Sequence, residues 1–551
     1  MPCAVYRGAR DTGARAVYPA RPDTRWSVAE SASLYNLEGW GSPYFAASEA
    51  FDGHVVVRPM GDAGGYCAEP EVDLFALASA LRARLGSSAP IVLRFPDVAC
   101  RQAEKLQSVF DEAARNWGYR AEFRAVFPVK CCHDRHLLLA LVAVGAGHGF
   151  GLEAGSKAEL LLALAVMQKA GVVQTQRAPN SGTRNRDCDG VRPTPLLVCN
   201  GYKDDEYIRL AVGSSSLGFH TVVVLEKPSE LAAVLAAVRA MPASAVRPYL
   251  GIRVRLGTTH GGQWGATSGD DAKFGLGTSE VLWAVRTLAD GDMLDCLRLL
   301  HFHIGSQVSH IATIKEAMRE SSQMYAELVR LGAPMGYIDV GGGLGVDYNG
   351  TRGWGGHMST NYNMQNYANV IIATLHETCT RTGVAPPVIV SESGRAIASP
   401  AATLVFDIAS TEPRRAGGLV GARIGTGAEV EEELGRPQHP AAAWSPPGSN
   451  PTIKELRVTA QSAFLLHNFR AVLSDIITAS DGTNSKMQES LNDAAQFRQE
   501  ADRLFKLGIM GLEGRSEVEE LFASVRGLAF ELTRRAPTGE APLVQARFCH
   551  D

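Results

Sequence analysis

The chain has 551 residues and a formal net charge of −4 with histidine neutral. At about 150 residues per domain, this length excludes a mini-protein and allows one large domain with satellites. The small net charge provides no strong basic field, which disfavours a nucleic-acid-binding protein. Hydrophobic residues make up 45% of the chain and charged residues 20%, which is typical of a globular protein with a sizeable core.

Apolar runs and cysteines indicate a soluble chain in a reducing compartment. The longest uncharged apolar run covers residues 137–147, which is shorter than the roughly 20 residues that a membrane span needs. The ten cysteines form no CxxC pair, which predicts free thiols in the cytoplasm or a plastid. The arginine-rich residues 1–25 predict either a disordered leader or a transit segment, and serine is absent from them.

Eight short apolar runs alternate with helical stretches from residue 121 onwards. These runs are Phe123–Val129, Gly149–Glu153, Leu196–Asn200, Thr221–Glu226, Tyr249–Leu256, Leu297–Ile304, Tyr337–Val340 and Val388–Ser391. Helical periodicity fills most gaps, as in Lys157–Ala170, Ser229–Met241 and Thr313–Leu331. Eight such units predict an α/β protein with a (β/α)8 TIM-type barrel, although a doubly wound open sheet shares this alternation. A ninth extended run, Pro90–Phe95, keeps that alternative open.

Composition shifts divide the chain into segments around this barrel. The segments are a leader at 1–25, an N-terminal segment at 26–120 that contributes strands to a flanking β-domain, the barrel at 121–402, the start of the β-domain and a Pro-rich connector at 403–451, a helical segment at 452–536 and a tail at 537–551. Strands are expected at Gly53–Pro59 and Thr403–Ile408, outside the barrel. Breaks near 481–483 and 508–514 predict three C-terminal helices, and 176–193 predicts a surface insertion.

The first two strands end in charged residues, and barrel enzymes place their chemistry at the carboxyl ends of strands. Lys130 follows the first run, where burial could lower its pKa and make it a Schiff-base nucleophile. It could equally extend from the strand end into water. Glu153 ends the second run, either as a functional acid or as a charge near the helix that Ser156 caps.

The fifth and sixth runs carry pairs of basic or imidazole side chains. Arg253 and Arg255 share one strand face, and two buried arginines require an internal acid or a phosphate. His301 and His303 also share a face and could bind a metal. No further histidine follows at the other strand ends, which favours a histidine that stacks on or bonds to a ligand.

The last two strands end in a glycine-rich loop and in a carboxylate with an arginine. Three glycines, Gly341 to Gly343, follow Asp339 and form either an anion cradle of backbone N–H groups or a tight turn. Glu392 and Arg395 are separated by a small turn and can hold opposite ends of one ligand. Together the strand ends supply what pyridoxal phosphate needs: a lysine for the aldehyde, donors for the phosphate and a carboxylate for the pyridine nitrogen.

These residues stand in stretches that resemble the biosynthetic arginine decarboxylases of plants and bacteria, within the fold-type III pyridoxal-phosphate decarboxylases. The matching stretches are WSVAESASLYNLEGWGSPYF (26–45), FPVKC (127–131), FGLEAGSKAEL (150–160), VCNGYKDDEYIRLA (198–211), KFGL (273–276), LLHFHIGSQ (299–307), DVGGGLGVDY (339–348) and ESGRA (392–396). The resemblance implies decarboxylation of L-arginine to agmatine and CO2, for putrescine and spermidine biosynthesis, in a homodimer or higher homo-oligomer.

The resemblance also implies roles for individual residues. Lys130 forms the Schiff base with the cofactor, His303 stacks on its ring and Glu392 bonds its pyridinium nitrogen. The other cofactor-binding residues are Glu153, Arg253, Ser306, Gly341, Gly342, Gly343, Gly394 and Arg395. The substrate borders Asp339, Gly341, Gly342, Gly343, Gly345, Asp347 and Tyr348. A magnesium requirement is implied as well, but the sequence does not identify metal ligands.

Two departures from the family pattern matter. Cys131, Cys132 and His133 follow Lys130, where the family usually has Cys-Asn or Val-Asn. The family also continues into a β-domain with a Cys-Asp motif and a phosphate-binding tyrosine, whereas residues 545–551 resemble the segment just before that domain. We therefore expect an incomplete flanking β-domain, in which strands near 40–60 and 403–410 lack partners. A catalytically impaired regulator stays open, and an ornithine or diaminopimelate decarboxylase is disfavoured by VCNGYKD.

Overall fold

A computed structural model describes residues 27–61, 71–172, 193–258, 273–352, 356–408, 410, 460–478, 484–507 and 509–535. The predicted leader, the insertion up to residue 192, the connector at 411–451 and the tail at 537–551 lie outside them. The chain divides into two compact units, Met1–Asp407 and Ile408–Asp551. Each unit is described separately.

The first unit contains the strands of the fold. They are β1 (Phe45–Ser48), β2 (His54–Val57), β3 (Val72–Asp73), β4 (Ile91–Arg94), β5 (Phe123–Pro128), β6 (Gly151–Ala154), β7 (Leu196–Cys199), β8 (His220–Leu225), β9 (Tyr249–Arg253), β10 (Leu297–His301), β11 (Tyr337–Asp339), β12 (Val388–Ser391) and β13 (Ala402–Val405).

Strands β5 to β12 close into one parallel barrel in chain order, because β12 pairs with β5. All eight barrel strands predicted from the apolar runs are confirmed. The burial of the strands explains why the sequence predicts them, since parallel strands are covered on both faces and form continuous apolar runs. In β8, for example, the five residues after His220 are all buried.

Helices cover the outside of the barrel and the N-terminal segment. They are α1 (Val28–Leu34), α2 (Leu37–Gly41), α3 (Leu74–Leu85), α4 (Pro96–Trp117), α5 (Arg135–Gly145), α6 (Lys157–Lys169), α7 (Asp205–Ser216), α8 (Pro228–Arg239), α9 (Thr278–Asp290), α10 (Ile311–Arg330), α11 (Met364–Thr382) and α12 (Gly394–Ala398). Side-chain caps fix several helix starts directly after the strands. Ser156 accepts from the Glu159 amide, as predicted, and Asp204 accepts from the Tyr207 amide.

The barrel has two apolar layers, which follow from the two-residue period of its strands. One buried cluster fills the interior and consists of Val126, Leu196, Val198, Val222, Val224, Leu299 and Val390. Alternate residues such as Phe127 and Leu197 belong to the larger cluster between strands and helices. The interior cluster forms the floor beneath the carboxyl ends of the strands.

Two small antiparallel sheets lie outside the barrel. Strands β1, β2 and β3 form one sheet, and β13 pairs with β4 in the other. The expectation that strands near 40–60 and 403–410 lack partners is therefore wrong, because β1 and β2 pair with each other, β3 adds to β2, and β4 pairs with β13. The ninth run, Pro90–Phe95, is β4 and belongs to this second sheet rather than to the barrel.

The second unit consists, in its described part, of three helices. They are α13 (Ala460–Thr478), α14 (Asn484–Lys506) and α15 (Leu512–Arg535). They pack around their own buried core, which includes Phe469, Leu504 and Val525. The predicted breaks between three helices are confirmed.

Candidate active site

The inward face of each barrel strand continues into a polar side chain at the carboxyl end. Because inward positions repeat every second residue, Val198 leads to Asn200 and Val390 to Glu392, whereas Lys130 lies in a short 3-10 turn directly after β5. The polar residues at these strand ends are Lys130, Glu153, Asn200, Glu226, Arg253, His301, Asp339 and Glu392. The register of the barrel thus brings predicted site residues from separate strands to one end of it.

Lys130 and Glu153 lie next to each other at this end. Lys130 Nζ lies 3.4 Å from Glu153 Oε2, and the lysine side chain is half exposed whereas the glutamate is fully buried. Neither carboxylate oxygen of Glu153 has a hydrogen-bond partner among the described residues. Burial and the charge of Glu392 raise the pKa of Glu153 to about 8. Burial opposes the charged form of Lys130, but the charges of Glu153 and Glu392 outweigh it and raise the lysine pKa to about 12.

Glu392 is buried in a cluster of polar side chains. Asn200 Nδ2 donates to Glu392 Oε1 at 2.5 Å, and His301 Nε2 lies 3.3 Å from the same oxygen. Burial alone would raise the pKa of Glu392, but His301 and Lys130 outweigh it and lower that pKa. Burial and the charge of Glu392 raise the pKa of Asp339 well above its usual range. The pair therefore consists of an ionised Glu392 beside a protonated Asp339.

His303 is a neutral ring at the same end of the barrel. Its Nδ1 accepts a hydrogen bond from the Gly305 amide at 2.9 Å. Burial and the nearby charge of Arg253 lower the pKa of His303 to about 3. The proton of the neutral ring therefore lies on Nε2, and an uncharged flat surface faces the site.

A candidate anion site is formed by the glycine loop and Arg395. Gly341 and Gly343 have positive φ values of 64° and 102°, and a Cβ at Gly341 would lie 2.3 Å from the Phe302 carbonyl oxygen. Arg395 donates from Nη2 to Ser306 Oγ at 2.9 Å and from Nη1 to the Tyr348 hydroxyl at 2.9 Å. A guanidinium beside a loop of close-packed backbone is suited to bind phosphate.

Two other glycines of the predicted site pack closely against neighbouring segments. A Cβ at Gly394 would lie 2.5 Å from Cys131 Sγ, next to the lysine. A Cβ at Gly342 would lie 3.1 Å from His303 Nε2. These contacts bring the lysine, histidine and arginine segments together.

The predicted need of Arg253 and Arg255 for anions is confirmed. Arg253 Nη1 donates to both oxygens of Glu226, at 3.1 and 3.0 Å, and Arg255 pairs with Glu280 at 3.0 Å. Arg253 is thereby held at the site by an internal acid.

The residues expected to border a substrate occupy different positions. Asp339 is fully buried and accepts from the Gly341 amide, which favours a supporting role. Asp347 accepts from the Arg352 amide and the Ser359 hydroxyl and so organises its own loop. A Cβ at Gly345 would lie 2.5 Å from a Thr360 methyl carbon, whereas Tyr348 reaches the anion site through Arg395.

The sequence analysis assigned no role to Asn200 or Glu226, and it considered His301 only as a possible metal ligand. All three continue the inward face of their strands by the two-residue period, and this signal could have identified them. His301, Asp339 and Glu392 place ligand atoms within 4.8 Å of one another, which is a spacing that a metal could use. The hydrogen bond that Asn200 donates to Glu392 argues against a cation at this point.

The raised pKa of Glu153 predicts a pH-dependent stability. The folded carboxyl has a pKa of about 8 and the reference value is 4.5, so the folded state retains a proton that the unfolded chain releases between these values. The contribution of this group is fully present below pH 4.5 and is lost as the pH rises towards 8. Glu153→Gln removes the titration, and its melting temperature should therefore decline less steeply across this window than that of the wild type. The exposed Glu122→Gln serves as the control, and parallel curves for Glu153→Gln and the wild type would contradict the assignment.

Comparisons with known protein families agree with this geometry. Residues 103–399 match the family described as pyridoxal-dependent decarboxylase, pyridoxal binding domain. Residues 459–533 match the arginine decarboxylase helical bundle domain. The first match covers the barrel and the second covers α13 to α15.

Curated relatives and a solved structure indicate the branch. The chain is 40% identical to a biosynthetic arginine decarboxylase of Prochlorococcus marinus over 91% of its own length and 67% of the relative. The corresponding enzyme of Thermosynechococcus vestitus is also 40% identical, over 92% of this chain and 68% of the relative. The chain thus spans about two thirds of the length of these relatives.

The biosynthetic arginine decarboxylase SpeA of Campylobacter jejuni is structurally similar, with a TM-score of 0.55 and 26% identity over 90% of this chain and 69% of that one. The two family matches thus cover both the barrel and the helical unit of this chain. The chain belongs to the pyridoxal-dependent decarboxylases, in the biosynthetic arginine decarboxylase family.

Proposed function

We propose that this chain decarboxylates L-arginine to agmatine and CO2 with pyridoxal phosphate as its cofactor, in polyamine biosynthesis. The observation that carries the proposal is the convergence of Lys130, Glu392 and the Arg395 anion site at one end of the barrel. The match of residues 459–533 to an arginine decarboxylase domain supports arginine over ornithine or diaminopimelate.

The residues at this end of the barrel fit pyridoxal phosphate. Glu153 Oε1, Glu153 Oε2 and Asp339 Oδ2 are buried without hydrogen-bond partners among the described residues, which is the pattern of a site built for a polar ligand. Arg395, Ser306 and the glycine loop suit the phosphate, and Lys130 suits the aldehyde. The neutral His303 provides a flat face for the ring, and Glu392 provides the carboxylate for its nitrogen.

Bound pyridoxal phosphate with a protonated ring nitrogen supplies an electron sink for the pair released when CO2 leaves. The ionised Glu392 holds the proton at the ring nitrogen, because its carboxylate is kept charged by its neighbours. His303 contributes no competing charge, since its ring is neutral.

The net reaction consumes one proton, because the bond from Cα to the carboxyl carbon breaks and a C–H bond replaces it. Lys130 Nζ and Glu153 Oε2 can hold such a proton at 3.4 Å. The raised pKa of Glu153 keeps this pair protonated near neutral pH. We therefore propose that the pair is a proton store at the site.

Loss of Arg395 should weaken cofactor binding. Arg395→Ala removes a cation with bonds to Ser306 and Tyr348 and should raise the pyridoxal phosphate dissociation constant by about 10- to 100-fold. Equilibrium dialysis measures this constant. Arg298→Ala is the matched control, because Arg298 lies near the start of β10 and donates to the Pro334 carbonyl. An unchanged constant for Arg395→Ala would remove the anion site from the account.

A substrate panel tests the proposed function. The chain with pyridoxal phosphate is given L-arginine, L-ornithine or meso-diaminopimelate, and CO2 and amine products are measured. We expect kcat/KM for arginine to exceed the others by roughly 100-fold or more. A preference for another substrate would overturn the assignment of arginine. If the chain binds the cofactor but releases no CO2 from any of the three substrates, the result would favour the alternative of a catalytically impaired regulator.

Magnesium dependence, a homo-oligomer and a cytoplasmic or plastid location are further proposals from the family resemblance. The six described cysteines are free, which supports a reducing compartment. Among the described residues, no helix has the length and apolar character to cross a membrane. Activity with and without chelator, and sedimentation of the holoenzyme, test the first two proposals.

A further inference from the structure

We propose that Asn200 is a positioning residue for the reaction, because its side-chain amide fixes the Glu392 carboxylate that pairs with the ring nitrogen of the cofactor. This inference rests on the proposed function. The two residues directly follow β7 and β12, which are not neighbours in the barrel. Their side chains nevertheless meet in a buried hydrogen bond of 2.5 Å.

The backbone around Asn200 is held rigidly. The backbone N–H of Asn200 donates to the Ala154 carbonyl, and the next residue, Gly201, has a φ of 73°. A Cβ at Gly201 would lie 2.4 Å from the Gly155 carbonyl oxygen, so this turn requires glycine. The Gly201 amide donates in turn to Glu226 Oε1 at 2.8 Å.

Buried charges hold the same turn from the other side. Lys203 Nζ donates to the Gly201 carbonyl at 2.6 Å and pairs with Glu230 Oε2 at 3.1 Å. The Lys203 amide donates to Glu230 Oε1. These contacts explain why the asparagine, the glycine and the lysine occur together in the NGYK sequence, and they fix the backbone from which the Asn200 side chain extends.

An amide is chemically suited to this position. Glu153, Asp339 and Glu392 already place three acids in the cluster, and a neutral N–H donor supports the ionised carboxylate without adding charge. Asn200 Oδ1 is buried without a hydrogen-bond partner among the described residues. Within the fold, the side-chain N–H of Asn200 is thus hydrogen-bonded and its oxygen is not, as expected if the residue serves as a donor to Glu392.

The consequence is a defined effect on the bound ring. Asn200→Leu keeps a similar volume and removes the donor, so Glu392 should hold the ring proton less well. We expect binding of 4′-deoxypyridoxine 5′-phosphate, which has no aldehyde for Lys130, to weaken by about 10- to 100-fold. The ultraviolet spectrum of the bound ring should also lose its protonated form at a lower pH than in the wild type. In the holoenzyme, kcat should fall with KM little changed.

Two further variants separate positioning from folding. Asn200→Gln retains an amide donor and should recover part of the affinity and of the spectral midpoint. Ser214→Ala breaks the buried bond between the Ser214 hydroxyl on α7 and the Thr221 hydroxyl near the start of β8. This control should lower the melting temperature without moving the spectrum of the bound ring.

The proposal is overturned if Asn200→Leu binds the analogue with wild-type affinity and midpoint. It is also overturned if Asn200→Gln is no better than Asn200→Leu, or if Ser214→Ala shifts the spectrum equally. These readouts do not depend on arginine turnover. A wild-type chain that binds the ring in its protonated form but releases no CO2 would therefore contradict the proposed function and leave the role of Asn200 standing.

Discussion

Lys130→Ala is expected to reduce arginine decarboxylation by at least about 10³-fold, because the variant loses both the covalent attachment point and a proton-carrying amine. The measurement is the release of CO2 from carboxyl-labelled L-arginine with saturating cofactor. The side chain is half exposed, so alanine leaves no buried cavity and folding should be preserved.

The control for this prediction is Lys157→Ala. Lys157 pairs with Asp204 and Glu206 on the surface and should be dispensable for turnover. Residual turnover of Lys130→Ala close to that of Lys157→Ala would show that the reaction uses another group.

Glu392→Gln should lower kcat by roughly 10²- to 10³-fold with a smaller change in KM, because a neutral amide replaces the charge facing the ring nitrogen. The carboxylate is buried and kept ionised by its neighbours, so the fold supplies no substitute charge at the same point. Steady-state kinetics with arginine measure the effect.

Glu280→Gln is the matched control for Glu392→Gln. It also removes a carboxylate from an ion pair, with Arg255, but at the start of α9. We expect its kcat to be essentially that of the wild type. Equal losses in both variants would mean that general destabilisation, rather than the charge of Glu392, lowers the rate.

The barrel could be predicted because each strand is short, apolar and buried on both faces. The helices between strands also had clear starts, as with Ser156 before α6. The small sheets could not be predicted completely. Strand β3 spans only Val72–Asp73, which is too short to leave a periodic pattern, and no local pattern links β4 with β13, which are far apart in the chain.

The candidate site was predictable where a residue type has few other uses at a strand end. Lys130, Glu392 and Arg395 were identified from position and chemistry. Asn200 was not given a role, because an asparagine followed by glycine after a strand is also typical of a turn. The structure shows both features at once, a glycine turn at Gly201 and a side chain that reaches Glu392 across the barrel.

The substrate side was the least predictable part. Asp347 and Gly345 lie in a motif that resembles the family, but Asp347 bonds within its own loop and Gly345 packs against Thr360 and the Val308 carbonyl. Sequence spacing does not distinguish a carboxylate that organises a loop from one that meets a ligand. That distinction depends on backbone amides such as that of Arg352, which become visible only in the folded loop.

The most direct test of the account is the site of cofactor attachment. The chain is loaded with pyridoxal phosphate, reduced with borohydride, digested and analysed by mass spectrometry. The account predicts a phosphopyridoxyl group on the peptide that contains Lys130 and its absence in Lys130→Ala. Stoichiometric label on a different lysine, or no label at saturating cofactor, would contradict the assignment of this end of the barrel as the active site.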